Sequence, residues 1–191
     1  MKLWLIRHGS TAMNEDGRYQ GRLDGGLSET GRAALRPADF RPERLIVSPA
    51  KRARETAAIL FPGMEQCVLQ DLREMDFGAF EGLSWREMEN DPDYRAWVDG
   101  GCLGRCPGGE DREGCCARVC GAFSRIVTEY AGRGSVAVVA HGGTQMAVLD
   151  RWGEPKRDFF AWQLHCGCGY ELDWDARTQT LRVIRELSFL R

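Results

Sequence analysis

The sequence predicts an α/β protein built on a mainly parallel sheet, and three stretches carry that prediction. Leu3-Trp4-Leu5-Ile6 runs into Arg7-His8-Gly9. Leu45-Ile46-Val47 runs into Ser48-Pro49 and then a helix-like stretch from Ala50 to Leu60. Val136-Ala137-Val138-Val139-Ala140 runs into His141-Gly142-Gly143 and then Thr144 to Leu149. Continuous apolar runs of this length, without alternation, suit strands buried on both faces, which belong to parallel sheets covered by helices. Strand and helix signals that alternate along the chain point to the same class.

The elements follow in chain order. The first strand covers Leu3 to Ile6. A helix starts within Leu27-Ser28-Glu29-Thr30-Gly31-Arg32-Ala33-Ala34-Leu35, but Pro37 must stop it early, because a proline ring cannot continue a helix. The second strand, Leu45 to Val47, leads into the helix after Ser48-Pro49. Val68 to Phe80 reads as strand or loop, Trp85 to Val98 as helix despite Pro92, and Glu113 to Ala131 as a long helix. Tyr170 to Trp174 and Leu181 to Leu187 alternate in polarity and predict an antiparallel hairpin at one edge of the sheet.

Composition excludes several kinds of function. With 191 residues the chain is the size of one domain, and neither a repeat nor a linker divides it, so a single domain over residues 1–191 is expected. Hydrophobic residues make up 43% and charged residues 28%, and the formal net charge of −2 supplies no field to gather nucleic acid or an anionic membrane. No stretch approaches the ~20 apolar residues of a membrane helix. Met1 leads straight into a strand-like run, not a signal peptide, so a cytoplasmic protein is expected. Of the eight cysteines, five fall at Cys102, Cys106, Cys115, Cys116 and Cys120 and two form Cys166-Gly-Cys168. Because no CxxC pair occurs among them, reduced and partly buried thiols are expected in place of a metal site.

In parallel α/β sheets, ligands collect beyond the carboxyl ends of the strands. All three stretches put their His or Arg residues there or in the next helical turn, which gathers Arg7, His8, Arg52 and His141 in one place. Two histidines and two arginines suit a phosphoryl group: guanidinium forks match its oxygens, and neutral imidazole is a competent nucleophile near pH 7. Gly9, Gly142 and Gly143 let backbone N–H groups approach an anion at a helix start. Such a site needs no metal and no cofactor. It does need a proton donor for the leaving oxygen, and an acidic loop can supply one. From the residues alone Glu74, Asp76 and Glu81 rank nearly level for that role. Arg52 and Arg54 compete for the arginine position, and either could be a solvated charge beside Glu55.

These residues resemble the histidine phosphatase superfamily, in the branch that includes cofactor-dependent phosphoglycerate mutase and its phosphatase relatives. "LIRHGSTAMN" is similar to the family's N-terminal signature and "GRYQGRLDGGLSETG" to the segment that follows it. "VSPAKRARETA" is similar to the segment carrying the second arginine, "LREMDFGAFEGLS" to the acid loop and "VAVVAHGGT" to the second-histidine strand. The resemblance implies a three-layer α/β/α fold of the phosphoglycerate mutase type. It implies that His8 becomes phosphorylated, that Arg7, Arg52 and His141 bind the phosphoryl group, and that Glu74 protonates the leaving alcohol and later activates water. Asn14 would support the phosphate or His8, although a helix cap or turn also explains it. Gln20, Gly21 and Gly142 join the phosphate-binding set. Ser10 departs from the family's usual Glu or Gln. Pro37 and Pro42 shorten the helix expected between Leu27 and Leu45, which should leave one flank of the sheet less covered.

Three functions compete. A phosphomonoesterase passes the phosphoryl group from His8 to water, a mutase returns it to the substrate, and a binding module does neither. Every catalytic position is filled, and the chain lacks the long insertion and shielding tail of the mutases it resembles. Hydrolysis of a small-molecule phosphate ester by a monomer or homodimer is therefore expected. "RYQGRLDGGLS" and "PGGED" look most like α-ribazole-5′-phosphate phosphatases of cobalamin synthesis. Tyr19, Phe77, Phe80, Trp85 and Trp97 lie in segments expected to border the cleft, where an organic leaving group would sit.

Overall fold

In a computed structural model of the protein, which describes residues 1–132 and 134–191, seven strands form one sheet in the order β3-β2-β4-β1-β6-β7-β5. The strands are β1 (Lys2–Arg7), β2 (Arg44–Val47), β3 (Cys67–Val68), β4 (Val136–Ala140), β5 (Gly153–Glu154), β6 (Cys168–Asp175) and β7 (Thr180–Ser188). Strands β3, β2, β4 and β1 run parallel, β6 is antiparallel to β1 and to β7, and β5 is parallel to β7. The helices are α1 (Ala12–Glu15), α2 (Glu29–Ala34), α3 (Lys51–Leu60), α4 (Pro92–Asp99), α5 (Arg112–Tyr130) and α6 (Gly142–Trp152).

The continuous apolar runs serve two cores at once. Leu3, Leu5, Val136 and Val138 point to the layer that contains Val119 and Phe123 of α5 and Ala147 and Val148 of α6. Trp4, Ile6, Ala137 and Val139 point to the opposite layer, with Ala53, Ala57 and Leu60 of α3. A strand whose successive side chains alternate between two buried faces has no position left for a polar residue. In α3 the buried positions recur at helical spacing, and in α5 Asp111 caps the start by accepting from the Gly114 N–H at 2.7 Å.

Three expectations are corrected. The helix read from Trp85 to Val98 begins only at Pro92. Asp91 caps it through the amides of Asp93 and Tyr94, and proline suits the first helical position because no N–H is needed there. The hairpin of β6 and β7 does not end the sheet: β6 lies against β1, and two-residue β5 pairs with Leu181 and Arg182 beyond β7. Helix α2 is short, as its prolines require, yet the flank beside it is not bare. Phe40 stacks on Trp4 with ring centroids 4.1 Å apart and meets Phe61 and Phe189. Trp4 is only 4% exposed as a result. An irregular segment with one aromatic anchor does the work of the missing helical turns.

The parallel strands bring their carboxyl ends to one edge. Arg7 ends β1, Ser48 follows β2 and His141 follows β4. The segment entering β6 closes the same edge, where the Gly167 N–H donates to the His8 carbonyl at 2.9 Å.

Because Phe40 is half-buried and covers a tryptophan, Phe40→Ala is expected to lower stability by about 2 kcal/mol, below the cost of a fully buried phenylalanine. Chemical denaturation measures this, and a loss under about 0.5 kcal/mol, the size of an ordinary surface substitution, would show that the flank does not depend on the stack.

Candidate active site

Arg52 projects from the first turn of α3 into the space beyond β1 and is fully buried, whereas Arg54 is exposed. Its Nη2 donates to the carbonyls of Gln20 and Gly21 at 3.2 and 3.0 Å and its Nη1 to Leu23 at 3.1 Å. Its Nε donates to His8 Nε2 at 3.3 Å. On the other side of the His8 ring, Nδ1 lies 2.7 Å from the Gly9 carbonyl. A carbonyl only accepts, so Nδ1 carries the ring proton and Nε2 keeps its lone pair. Burial first, then the positive charges of Arg52 and Arg7, lower the pKa of His8 to about 3, against the opposing effect of the Gly9 hydrogen bond.

His141 is also fully buried, and its ring centroid is 5.2 Å from that of His8. Its Nε2 lies 2.7 Å from Ser48 Oγ, which itself accepts from the Ala50 N–H at 3.4 Å. The Ser48 proton is then free to go to Nε2, which leaves the proton of a neutral ring on Nδ1. That atom and Arg7 Nε are buried and have no protein partner among the described residues. Buried donors are seldom orphaned, and two at one site suit an anion that both would hold. Burial, then Arg52 and His8, hold the His141 pKa well below its ordinary value. Arg7 is itself fixed by donation from Nη1 to the Leu164 carbonyl at 2.6 Å.

The acidic candidates separate by their contacts. Glu81 accepts from the amides of Gly21, Arg22, Leu23 and Phe77, so it braces two loops against each other. Asp76 accepts from the Gly78 N–H and pairs with Arg22. Glu74 alone of the three reaches the start of α6, where its Oε2 accepts from the Gly143 N–H at 3.2 Å. A β-carbon on Gly143 would collide with the Glu74 carboxylate, which explains a glycine at this point. A β-carbon on Gly142, at the first position of α6, would likewise crowd the Gln163 side chain.

The other expected ligands have contacts of their own. Asn14 completes a capping box at the start of α1, accepting from the N–H and hydroxyl of Thr11. The Gln20 side chain accepts from Thr11 Oγ1 and donates to the Leu23 carbonyl, and the Gly21 N–H is taken by Glu81. These two residues meet the site through their carbonyls, which hold Arg52. Sequence reasoning missed Ser48, whose only signal was its place at a strand end, and Thr56, which accepts from the Gly9 N–H at 2.9 Å and donates to the Arg52 carbonyl.

Beside Glu74 opens a cavity of about 240 Å³ walled by Tyr19, Phe77, Trp97, Phe159 and Phe160. Three of the five expected aromatics are therefore present. Phe80 is instead packed behind Trp97, and Trp85 is 54% exposed and outside the cavity wall. Phe159 and Phe160 come from a 3-10 turn that periodicity does not reveal. All eight cysteines are free, and among the described residues no cluster of His, Cys, Asp or Glu could hold a metal ion.

The parallel strands and the first turn of α3 thus bring two buried histidines and two arginines to one edge of the sheet. The family model for the histidine phosphatase superfamily (branch 1) matches residues 3–186, and the chain belongs to that superfamily. It is 37% identical over 150 residues to a bifunctional protein of Mycobacterium tuberculosis; that match takes in 73% of this chain but only 41% of the relative's length. It is 29% identical to an adenosylcobalamin/α-ribazole phosphatase of Salmonella typhimurium, over 100% of this chain and 99% of that protein. The crystal structure of the α-ribazole phosphatase from Shigella flexneri superposes with a TM-score of 0.81 at 27% identity, covering 96% of this chain and 95% of the other. The phosphoglycerate mutase-like α/β class expected from sequence is thus the fold of the protein.

The depressed histidine pKa values have a measurable consequence. Ring signals of His8 and His141 in NMR are expected to stay flat from about pH 5 to 8, where an ordinary histidine titrates. Below the ordinary value of 6.5 the unfolded chain binds a proton at His8 that the folded chain refuses until about pH 3. Stability therefore falls as pH drops through that window, by up to about 1.4 kcal/mol per pH unit for each such histidine. His8→Asn should flatten part of this slope in denaturation experiments, and an unchanged slope would show that His8 does not carry it.

Proposed function

We propose that this chain is a metal-independent phosphomonoesterase, a single domain over residues 1–191, that works through phosphorylated His8. The observation that carries the reading is the His8 ring, held neutral with Nδ1–H on the Gly9 carbonyl and the Nε2 lone pair beside Arg52. In the first step Nε2 attacks phosphorus and the bond to the ester oxygen breaks. Glu74, which lines the aromatic cavity, gives the departing oxygen its proton. Arg7, Arg52 and His141 Nδ1 hold the phosphoryl oxygens, whose charge spreads over them in the transition state. Positive charge that develops on the imidazole is met by the Gly9 carbonyl at Nδ1. In the second step water attacks phosphorus, Glu74 takes its proton, the N–P bond breaks, and inorganic phosphate leaves with His8 restored.

The aromatic walls favour an organic phosphate with an apolar leaving group, and α-ribazole 5′-phosphate is the substrate we put first. The full-length similarity to α-ribazole phosphatases supports that choice. The reading places the enzyme in the cytoplasm, with a small phosphate ester as its partner; among the described residues no helix is long and apolar enough to cross a membrane.

His8→Ala is expected to abolish turnover and to prevent acid-labile labelling of the protein by a phosphorylated substrate. Equal labelling of the variant and the parent would remove His8 as nucleophile. Glu74→Gln should slow phosphorylation of His8 by an alkyl phosphate on the order of 10²-fold or more, and much less with p-nitrophenyl phosphate, whose leaving group departs without a proton. Rapid-quench single turnovers separate the two, and equal slowing would mean that Glu74 is not the acid.

A further inference from the structure

The segment that carries Glu74 has no regular secondary structure. It runs from the 3-10 turn Gln70–Leu72 to the 3-10 turn Gly78–Phe80, and among the described residues no strand pairs with it. Loop backbone of this kind needs its polar groups satisfied from elsewhere, and a proton donor needs a fixed position to be useful. One side chain meets both requirements. Arg118, on the inner side of α5 and only 13% exposed, donates from Nη1 to the carbonyls of Asp71 and Arg73, both at 2.9 Å. Its Nη2 donates to the carbonyl of Glu74 itself at 3.4 Å.

The guanidinium is in turn held by Glu110. Arg118 Nε donates to Glu110 Oε1 at 3.1 Å and Nη2 donates to Oε2 at 2.7 Å, a two-pronged pair of the strong, directional kind. Glu110 also reaches the far side of the loop. Its Oε2 accepts from the Asp76 N–H at 3.0 Å, and its own N–H donates to the Asp76 carbonyl at 2.8 Å. The loop is thus gripped before, at and after Glu74 by one ion pair. Burial works against the Arg118 charge, but the Glu110 carboxylate outweighs it and raises the arginine's pKa. Neither residue is in the wall of the aromatic cavity.

The geometry points to Arg118 and Glu110 as positioning residues that hold Glu74 where it protonates the leaving oxygen. This rests on the reading of Glu74 as the acid. Lysine could replace the charge of Arg118 but not its planar fork, which spans three carbonyls and a carboxylate.

The test compares single-turnover phosphorylation of His8 by an alkyl phosphate and by p-nitrophenyl phosphate in Arg118→Met, Glu74→Gln and the double variant. Loss of positioning is expected to slow Arg118→Met about tenfold or more with the alkyl phosphate and less than about threefold with p-nitrophenyl phosphate, with little change in substrate affinity. The double variant should be no slower than Glu74→Gln, since a clamp has nothing to add once the acid is gone. Equal slowing on both substrates, or additive losses in the double variant, would overturn the proposal. If Glu74→Gln shows the leaving-group dependence and Arg118→Met does not, the clamp fails and the acid stands. If Arg118→Met shows it and Glu74→Gln does not, both readings fail. Should Arg118→Met not fold, Glu110→Gln, which keeps the shape and removes the charge pair, is judged by the same comparison.

Discussion

The site depends on a buried guanidinium. Arg52 has no exposed surface, and its observed partners are three backbone carbonyls and one imidazole, none of them a carboxylate. Taking a cation out of water is costly unless its surroundings compensate, and carbonyl dipoles compensate without cancelling its charge. The arrangement thus keeps net positive charge beside the His8 lone pair. Burial does most to keep His8 and His141 neutral, and the Arg52 charge adds to it, because a second and third cation in the same dry space would be repelled. An incoming phosphoryl dianion meets a charge that no carboxylate pairs with directly, and buried donors on Arg7 and His141 that have no partner among the described residues.

The same guanidinium organises the chain around it. Its hydrogen bonds to Gln20, Gly21 and Leu23 tie an irregular segment to α3, and Glu81 ties that segment to the loop of Glu74 by accepting from three of its amides. Thr56, one turn beyond Arg52, fastens Gly9 to the same helix. A loss at Arg52 would therefore loosen three segments as well as remove a ligand. The acid loop has a separate anchor in Arg118 and Glu110, so charge on the phosphoryl side and position on the acid side are controlled by different residues.

What was legible in the sequence follows from this division. Arg7, His8 and His141 stood out because each ends a strand whose apolar run is continuous, and the parallel sheet converts that shared position into proximity. Arg52 was legible in the first turn of a helix that follows such a strand, although only the family resemblance separated it from Arg54. Burial now separates them physically, since α3 turns Arg52 inward with Ala53 and Thr56 and leaves Arg54 in solvent. The helix expected from Trp85 starts only at Pro92, because proline suits the first helical position and Asp91 caps it there.

Glu74, Asp76 and Glu81 could not be ranked from residues alone for a reason that the structure makes plain. All three lie on one irregular segment, where no period says which side chain faces which way. Their roles are set by partners distant in sequence: Gly143 for Glu74, Arg22 for Asp76, and the amides of Gly21 to Leu23 for Glu81. The aromatic cavity has the same character. Tyr19, Trp97 and Phe159 come from three separate parts of the chain, and only their packing makes one wall of them. Periodicity reports what a residue does for its own strand or helix. The phosphoryl side of this site is built from such positions, while the side that faces the leaving group is built from loops held by side-chain hydrogen bonds, and there the fold has to be seen before the chemistry can be assigned.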